Sequence, residues 1–192
     1  TGIGCSALTA NTTGDKNTAV GWHALDSNTT ADKNTAFGYN ALHTNATGTR
    51  NTAIGSGALA STTGDDNTAV GSNCADAVTT GTNNTAVGSY ALTTATTGSH
   101  NTAIGFDALK NTTTGGYNTA VGRNALLSNT TSGGNTAVGY AAADAITTGS
   151  SLVAVGHNAL GSSTTEHSNT AIGYDALALC TSNYNVAVGS NA

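Results

Sequence analysis

Blocks of 17 residues opening on Asn-Thr-Ala-Val/Ile-Gly repeat along the chain, starting at Asn17, Asn34, Asn51, Asn67, Asn84, Asn101, Asn118, Asn135, Leu152, Asn169 and Asn185. Two steps, Asn51 to Asn67 and Asn169 to Asn185, are 16 residues, and a partial copy, Thr1-Gly2-Ile3-Gly4, stands first. A unit this short cannot bury an apolar side alone; stacked neighbours must cover it. The expectation is an all-β rod: residues 1–192 form one repeat array, a parallel β-solenoid or β-roll of about twelve coils, uncapped at both ends.

Composition narrows the class of function. Charged residues are 8% of the chain and aromatics 5%, where ordinary domains carry about 25% charged residues. The apolar residues are few but strictly periodic, which argues for order rather than disorder. With five Lys and Arg and a net charge of −5, the chain lacks the basic patches that nucleic acid or an anionic membrane requires. No run of apolar residues approaches the ~20 of a membrane span. The sequence holds no Met, which points to a processed chain or a piece of a longer fibre.

Numbering each block from its Asn, position 4 is β-branched in eleven of twelve copies, Phe37 being the exception. That preference favours strand. Position 5 is Gly throughout, as at Gly21, Gly38, Gly55, Gly71 and Gly88, and marks a corner that needs positive φ or close backbone approach. Position 8 is Ala in all but one copy, and position 9 is usually Leu. Central Gly and repeated Thr-Thr-Gly leave no room for a helix. The absence of Pro suits an unbroken ladder.

The expected core columns are therefore position 4 (Val20, Ile54, Val87, Ile104) and position 9 (Leu25, Leu59, Leu92, Leu109). The Thr at position 2 is expected to face inward as well, because Val153 and Val186 replace it. The position-1 residues Asn17, Asn34, Asn51, Asn67, Asn84, Asn101, Asn118 and Asn135 are placed to form an amide ladder. In the blocks at Asn67 and Asn135 the position-9 Leu becomes Ala75 and Ala143, and Val78 and Ile146 appear three residues later. Two copies of one volume exchange read as compensation inside a core.

The stretch Asn-Thr-Ala-Val/Ile-Gly-x-x-Ala-Leu resembles the head repeat of trimeric autotransporter adhesins, the YadA-like or Hep-Hag repeat. Leu152-Val153-Ala154-Val155-Gly156 and Asn185-Val186-Ala187-Val188-Gly189 carry the likeness most closely. Similar arrays occur in phage tail fibres. The resemblance implies a left-handed β-roll, three chains around one axis, and an extracellular adhesive role at a cell or virion surface. The block is longer than that family's usual repeat, which enlarges each coil and leaves two alternatives open, a core shared among three chains or one closed within a single chain.

Chemistry-bearing residues are scattered. His23, His43, His100, His157 and His167 occupy five different block positions, so stacking is expected to bring no two together, and neither metal binding nor catalysis is expected. Cys5, Cys74 and Cys180 form no metal or redox motif and are expected as small buried side chains. Asp15, Asp32 and Asp66 beside Lys16, Lys33 and Arg50 should form a charged edge of weak surface pairs. Trp22, Tyr39, Phe106, Tyr140 and Tyr174 share position 6, an aromatic column suited to sugars or to a neighbouring chain. Asn11, Asn28, Asn45, Asn83, Asn111 and Asn129 head Asn-x-Thr triplets, candidate glycosylation sites if they lie on a surface loop.

Taken together, the sequence points to a non-enzymatic structural fibre or adhesin module without cofactors. Its expected partners are further copies of itself, as a trimer or an end-to-end filament, and a host-surface receptor or glycan. In the filament, Ile3 and Val188 would meet at the junction by strand addition. The rival class is an ice-binding solenoid, which requires a flat Thr array facing solvent.

Overall fold

The computed structural model describes all residues, Thr1–Ala192. Its strands, β1 to β12 in order, are Gly2–Ile3, Thr18–Val20, Thr35–Phe37, Thr52–Ile54, Thr68–Val70, Thr85–Val87, Thr102–Ile104, Thr119–Val121, Thr136–Val138, Val153–Val155, Thr170–Ile172 and Val186–Val188. They form one parallel sheet in sequence order. Pairing is strictly in register, Thr on Thr and Ala on Ala, as in Thr85↔Thr102 and Ala86↔Ala103. The twelve strands, spaced about 4.8 Å apart, make a rod roughly 53 Å long. The fold is the β-solenoid that the period anticipates.

The interior of each coil is narrow and built from small groups. Ala at position 3 (Ala19, Ala36, Ala53, Ala86), Ala at position 8 (Ala24, Ala41, Ala58, Ala91) and Leu at position 9 of the inner coils (Leu25, Leu42, Leu59, Leu92) are all fully buried, while Leu8 and Leu177 near the ends are partly buried. The position-9 Leu holds left-handed backbone, φ 50° at Leu25 and 54° at Leu92. That conformation costs roughly 1–2 kcal/mol in an L-residue, and burying the Leu side chain returns about 1.5–3 kcal/mol. The corner glycines combine both features expected of them. Gly88 has φ +130°, and a Cβ built there would lie 2.6 Å from the Gly105 carbonyl oxygen of the next coil.

The strand presents the opposite face from the one its hydrophobicity suggests. Position 3 points in; positions 2 and 4 point out. Ile54 and Ile104 are 42% and 39% exposed, and Val20 and Val87 are half-buried. The position-4 members of the expected core are thus surface residues, while Leu25, Leu59, Leu92 and Leu109 are core as expected. The reason is space. The inward side of the strand packs against Ala and Leu of the return within the same coil, and a methyl group fills the gap. The Thr column faces solvent for the same reason, with Thr18, Thr35 and Thr85 exposed. Ile3 and Val188, both in position 4 of the terminal strands, belong to this outward column and are 59% and 69% exposed.

Two polar columns line the interior. The Asn ladder forms and has a second task within each coil. Asn34 donates its backbone N–H to Asn17 Oδ1 at 2.9 Å, and its own Nδ2 closes the coil on the Gly48 carbonyl at 2.8 Å. Asn51, Asn67, Asn84 and Asn101 repeat the pattern. The second column is position 12, where Asn28, Asn45, Thr62, Thr112, Asn129 and Ser163 are fully buried alongside Val78, Ala95 and Ile146. Asn45 Nδ2 donates to the Gly48 carbonyl at 2.8 Å while Gly48 N–H returns to Oδ1 at 2.9 Å.

Burial of position 12 removes half of the glycosylation candidates. Asn28, Asn45 and Asn129 have no solvent-accessible amide, and the nitrogen that a glycan would occupy is bonded to Ala31, Gly48 and Ser132 carbonyls. Asn11 is half-buried; Asn83 and Asn111 lie exposed. The same burial explains Val78 and Ile146. Where position 9 shrinks to Ala75 or Ala143, the neighbouring interior column supplies the missing volume, and all four side chains are buried.

Candidate interaction face and side-chain clusters

The outward face of the sheet is the largest organised surface. It carries one column of Thr and one of Val or Ile, interrupted by Phe37, Val153 and Val186, with no charged residue in either. The exposed members of the second column include Ile54, Ile104, Val138 and Ile172. Across the strand the two columns are about 6.7 Å apart, and along the rod residues recur about every 4.8 Å. An exposed apolar strip of this regularity is unusual on a surface that nothing covers.

Past the Gly corner, position 6 forms a π ladder. Tyr140, His157 and Tyr174 stack with centroids 5.1 and 5.0 Å apart and planes within 18° and 16°. The Arg123 guanidinium continues the column between Phe106 and Tyr140, at 5.6 and 5.9 Å from their rings. Trp22 and Tyr39 make a separate tilted pair at 5.1 Å. In the stacked stretch the ring faces are occupied by one another and their edges meet solvent. Stacking on a sugar needs a free face, so this arrangement suits lateral contact between chains better than a glycan platform.

The charged edge forms in part. Arg50 clamps Asp66 of the next coil through Nε and Nη2 at 2.6 and 2.7 Å, and that hydrogen bonding holds the Asp66 carboxyl below the usual range while raising Arg50. Asp32 and Asp65 instead accept backbone N–H groups of the preceding coil, from Asp15 and Thr49, both at 2.7 Å.

Histidines do meet, contrary to the column argument. His23, at position 7, has Nδ1 2.8 Å from Asp26 Oδ2, and His43, at position 10 of the next coil, has Nδ1 2.8 Å from Asp26 Oδ1. The two imidazole centroids are 5.6 Å apart and nearly perpendicular, at 84°. Comparing only identical positions misses this, because the turn brings position 7 over position 10. The same corner pairs Asp107 with Lys110 at 3.1 Å, so an i, i+3 search on the turn would have found it.

The remaining titratable groups stand apart. Asp76 and Asp144, both half-buried at position 10, have carboxyls pushed up by burial. They lie four coils apart, too far for the paired carboxylates of glycoside hydrolysis. Cys74 replaces a core Ala and its thiol is pushed up to about 12 by burial. Cys180 is half-buried, whereas Cys5, expected inside, is exposed.

No helix of the structure is long and apolar enough to cross a membrane. Comparison with protein-family models, with curated proteins and with solved structures finds no match. Fold and surface define the chain as a single-chain parallel β-solenoid with one uncharged face and one aromatic edge.

Proposed function

We propose that the chain is a rigid, non-catalytic shaft or head segment of an extracellular fibre, at a cell or virion surface, whose uncharged sheet face is covered by further copies of itself. The observation that carries this reading is the outward Thr and Val/Ile face, regular over the whole rod and free of charge. A second copy laid parallel offers the same repeat at the same spacing, so each rung meets an equivalent rung and apolar burial adds coil by coil. The aromatic edge extends the contact. Three copies around one axis is the arrangement that the likeness to YadA-like head repeats implies.

The test is oligomeric state. Light scattering under native conditions is expected to give a trimer or larger assembly, and Val87→Lys with Ile104→Lys, in the middle of the face, is expected to release monomers that keep their β circular dichroism. A wild-type chain that stays monomeric at high concentration overturns the reading.

Ice binding is the second reading, and one observation favours it: the Thr column faces solvent in register. It ranks second because the companion column is Val and Ile rather than Thr, and Phe37 breaks the row. A monomer that shows thermal hysteresis, lost on Thr85→Tyr, selects it over the fibre.

A further inference from the structure

We infer that His23, Asp26 and His43 form a site for a divalent transition metal of the Zn2+ type, which ties the coil at Asn17 to the coil at Asn34. This rests on the corner geometry alone and is independent of the fibre reading. Two imidazole nitrogens and a carboxylate are the donor set that Zn2+ takes with three protein ligands and one open position. One donor atom from each residue can be chosen so that all three lie within 4.8 Å of one another.

One donor of the cluster is left without a hydrogen-bond partner. Asp26 receives a bond from Ser27 Oγ at 3.2 Å and pairs with His23 at 2.8 Å. Nδ1 of His43, although 2.8 Å from Asp26 Oδ1, is buried and makes no directed hydrogen bond. The in-plane direction of that nitrogen, which carries either its proton or its lone pair, is turned off Asp26 Oδ1 and is left without a partner. A cation on that direction, beside the Asp26 carboxylate, would give the nitrogen a partner and meet the negative charge. Tetrahedral ligands at about 2.0–2.1 Å from a metal stand about 3.3 Å from one another. The two 2.8 Å contacts to Asp26 must open by about half an ångström, and the widest donor pair, within 4.8 Å, must close by a turn of the side chains.

The backbone holds the donors ready. His23 sits in left-handed conformation, φ 55°, at the turn where position 7 overlies position 10. Its backbone N–H is held by the Cys5 carbonyl at 3.0 Å, and Asn28 N–H by Leu25 at 3.3 Å. Because His43 comes from the following coil, the metal would bridge a joint between coils rather than decorate one loop. Binding to the folded state alone then adds stability.

The chain offers its own reporter, since Trp22 is the only Trp and its ring centroid lies 4.8 Å from that of His23. The full chain is titrated with ZnCl2 by calorimetry and with CoCl2 by Trp fluorescence. The expected result is one equivalent of Zn2+, saturable Co2+ quenching reversed by Zn2+, and a melting temperature raised by Zn2+. Asp26→Asn and His43→Gln are each expected to weaken binding at least about tenfold, a loss in the range seen for metal-site substitutions; His157→Gln, remote from the site, should bind as wild type does. If His43→Gln fails to fold by circular dichroism, His23→Gln on the same site serves in its place. Absence of saturable Zn2+ binding, equal affinity in wild type and the site variants, or equal loss in His157→Gln overturns the site.

Discussion

At the scale of single residues, one group sets a pH limit on the fold. Cys74 fills an Ala position with no exposed surface, and burial moves its thiol from the ordinary 9.0 to about 12. Below pH 9 both folded and unfolded chains hold this proton, so it contributes nothing to the pH dependence. Above pH 9 the unfolded chain releases it and the folded chain does not, so stability falls as pH rises. The loss is complete near pH 12. At about 1.4 kcal/mol for each pH unit crossed, it amounts to at most about 4 kcal/mol. Urea midpoints measured from pH 8 to pH 11 should fall for the wild type and stay flatter for Cys74→Ala. At neutral pH a maleimide should modify exposed Cys5 quickly and Cys74 only after unfolding. Rapid native labelling of Cys74 contradicts its burial.

At the scale of the coil, the exchange between positions 9 and 12 is open to direct test. Ala75 has φ 51° and Leu92, one coil on, has φ 54°, so the backbone at Ala75 already accepts Leu. Ala75→Leu alone adds volume beside buried Val78 and is expected to cost about 1–3 kcal/mol. Val78→Asn alone removes apolar volume beside a small Ala and is also expected to destabilise. The double variant recreates the Leu–Asn pair found at Leu25 with Asn28 and at Leu42 with Asn45. It should recover at least about 1 kcal/mol over the sum of the single changes; strict additivity in chemical denaturation means the two positions do not share a volume. This pairing was legible in the sequence, as were the period, the Gly corner, the Leu column and the Asn ladder, because each repeats at one fixed position. Which side of the strand faces in was not. In a three-residue strand the larger side chain invites an inward reading, whereas the narrow coil admits only Ala. The usable signal was size: eleven copies hold Ala at position 3, while position 4 ranges from Val to Phe. The burial of Asn28, Asn45 and Asn129 and the meeting of His23 with His43 escaped for a related reason. Both depend on how the return folds across the coil, which a one-dimensional column cannot show.

At the scale of the whole molecule, the contact pattern is one-dimensional. Each strand touches only the strands before and after it in sequence, so stability is a sum of coil terms and joint terms between neighbours. A rod of this kind holds together cooperatively only while every joint is strong relative to the coils it links. One substitution at mid-rod isolates a joint. Thr102 N–H donates to the Asn118 carbonyl of the next coil at 2.8 Å, and its side chain faces outward, so Thr102→Pro deletes a rung without removing core volume. Pro also restricts Asn101 before it, a residue of the Asn ladder whose Oδ1 accepts Asn118 N–H at 3.0 Å. The lost rung falls on the joint between the coils at Asn101 and Asn118, and the restriction at Asn101, which also bonds Asn84 and Thr85, strains the joint before it, while more distant joints keep their bonds. The wild type is expected to unfold in urea as one transition with an m-value that reflects the surface of the entire array. The variant is expected to unfold in two, each with a smaller m-value, and amide exchange should quicken around Thr102 while the segments on either side stay protected. A single transition with the wild-type m-value, and no quickened exchange at Thr102, would show that these bonds do not set the strength of the joint, which would then have to be assigned to the packing of the core columns.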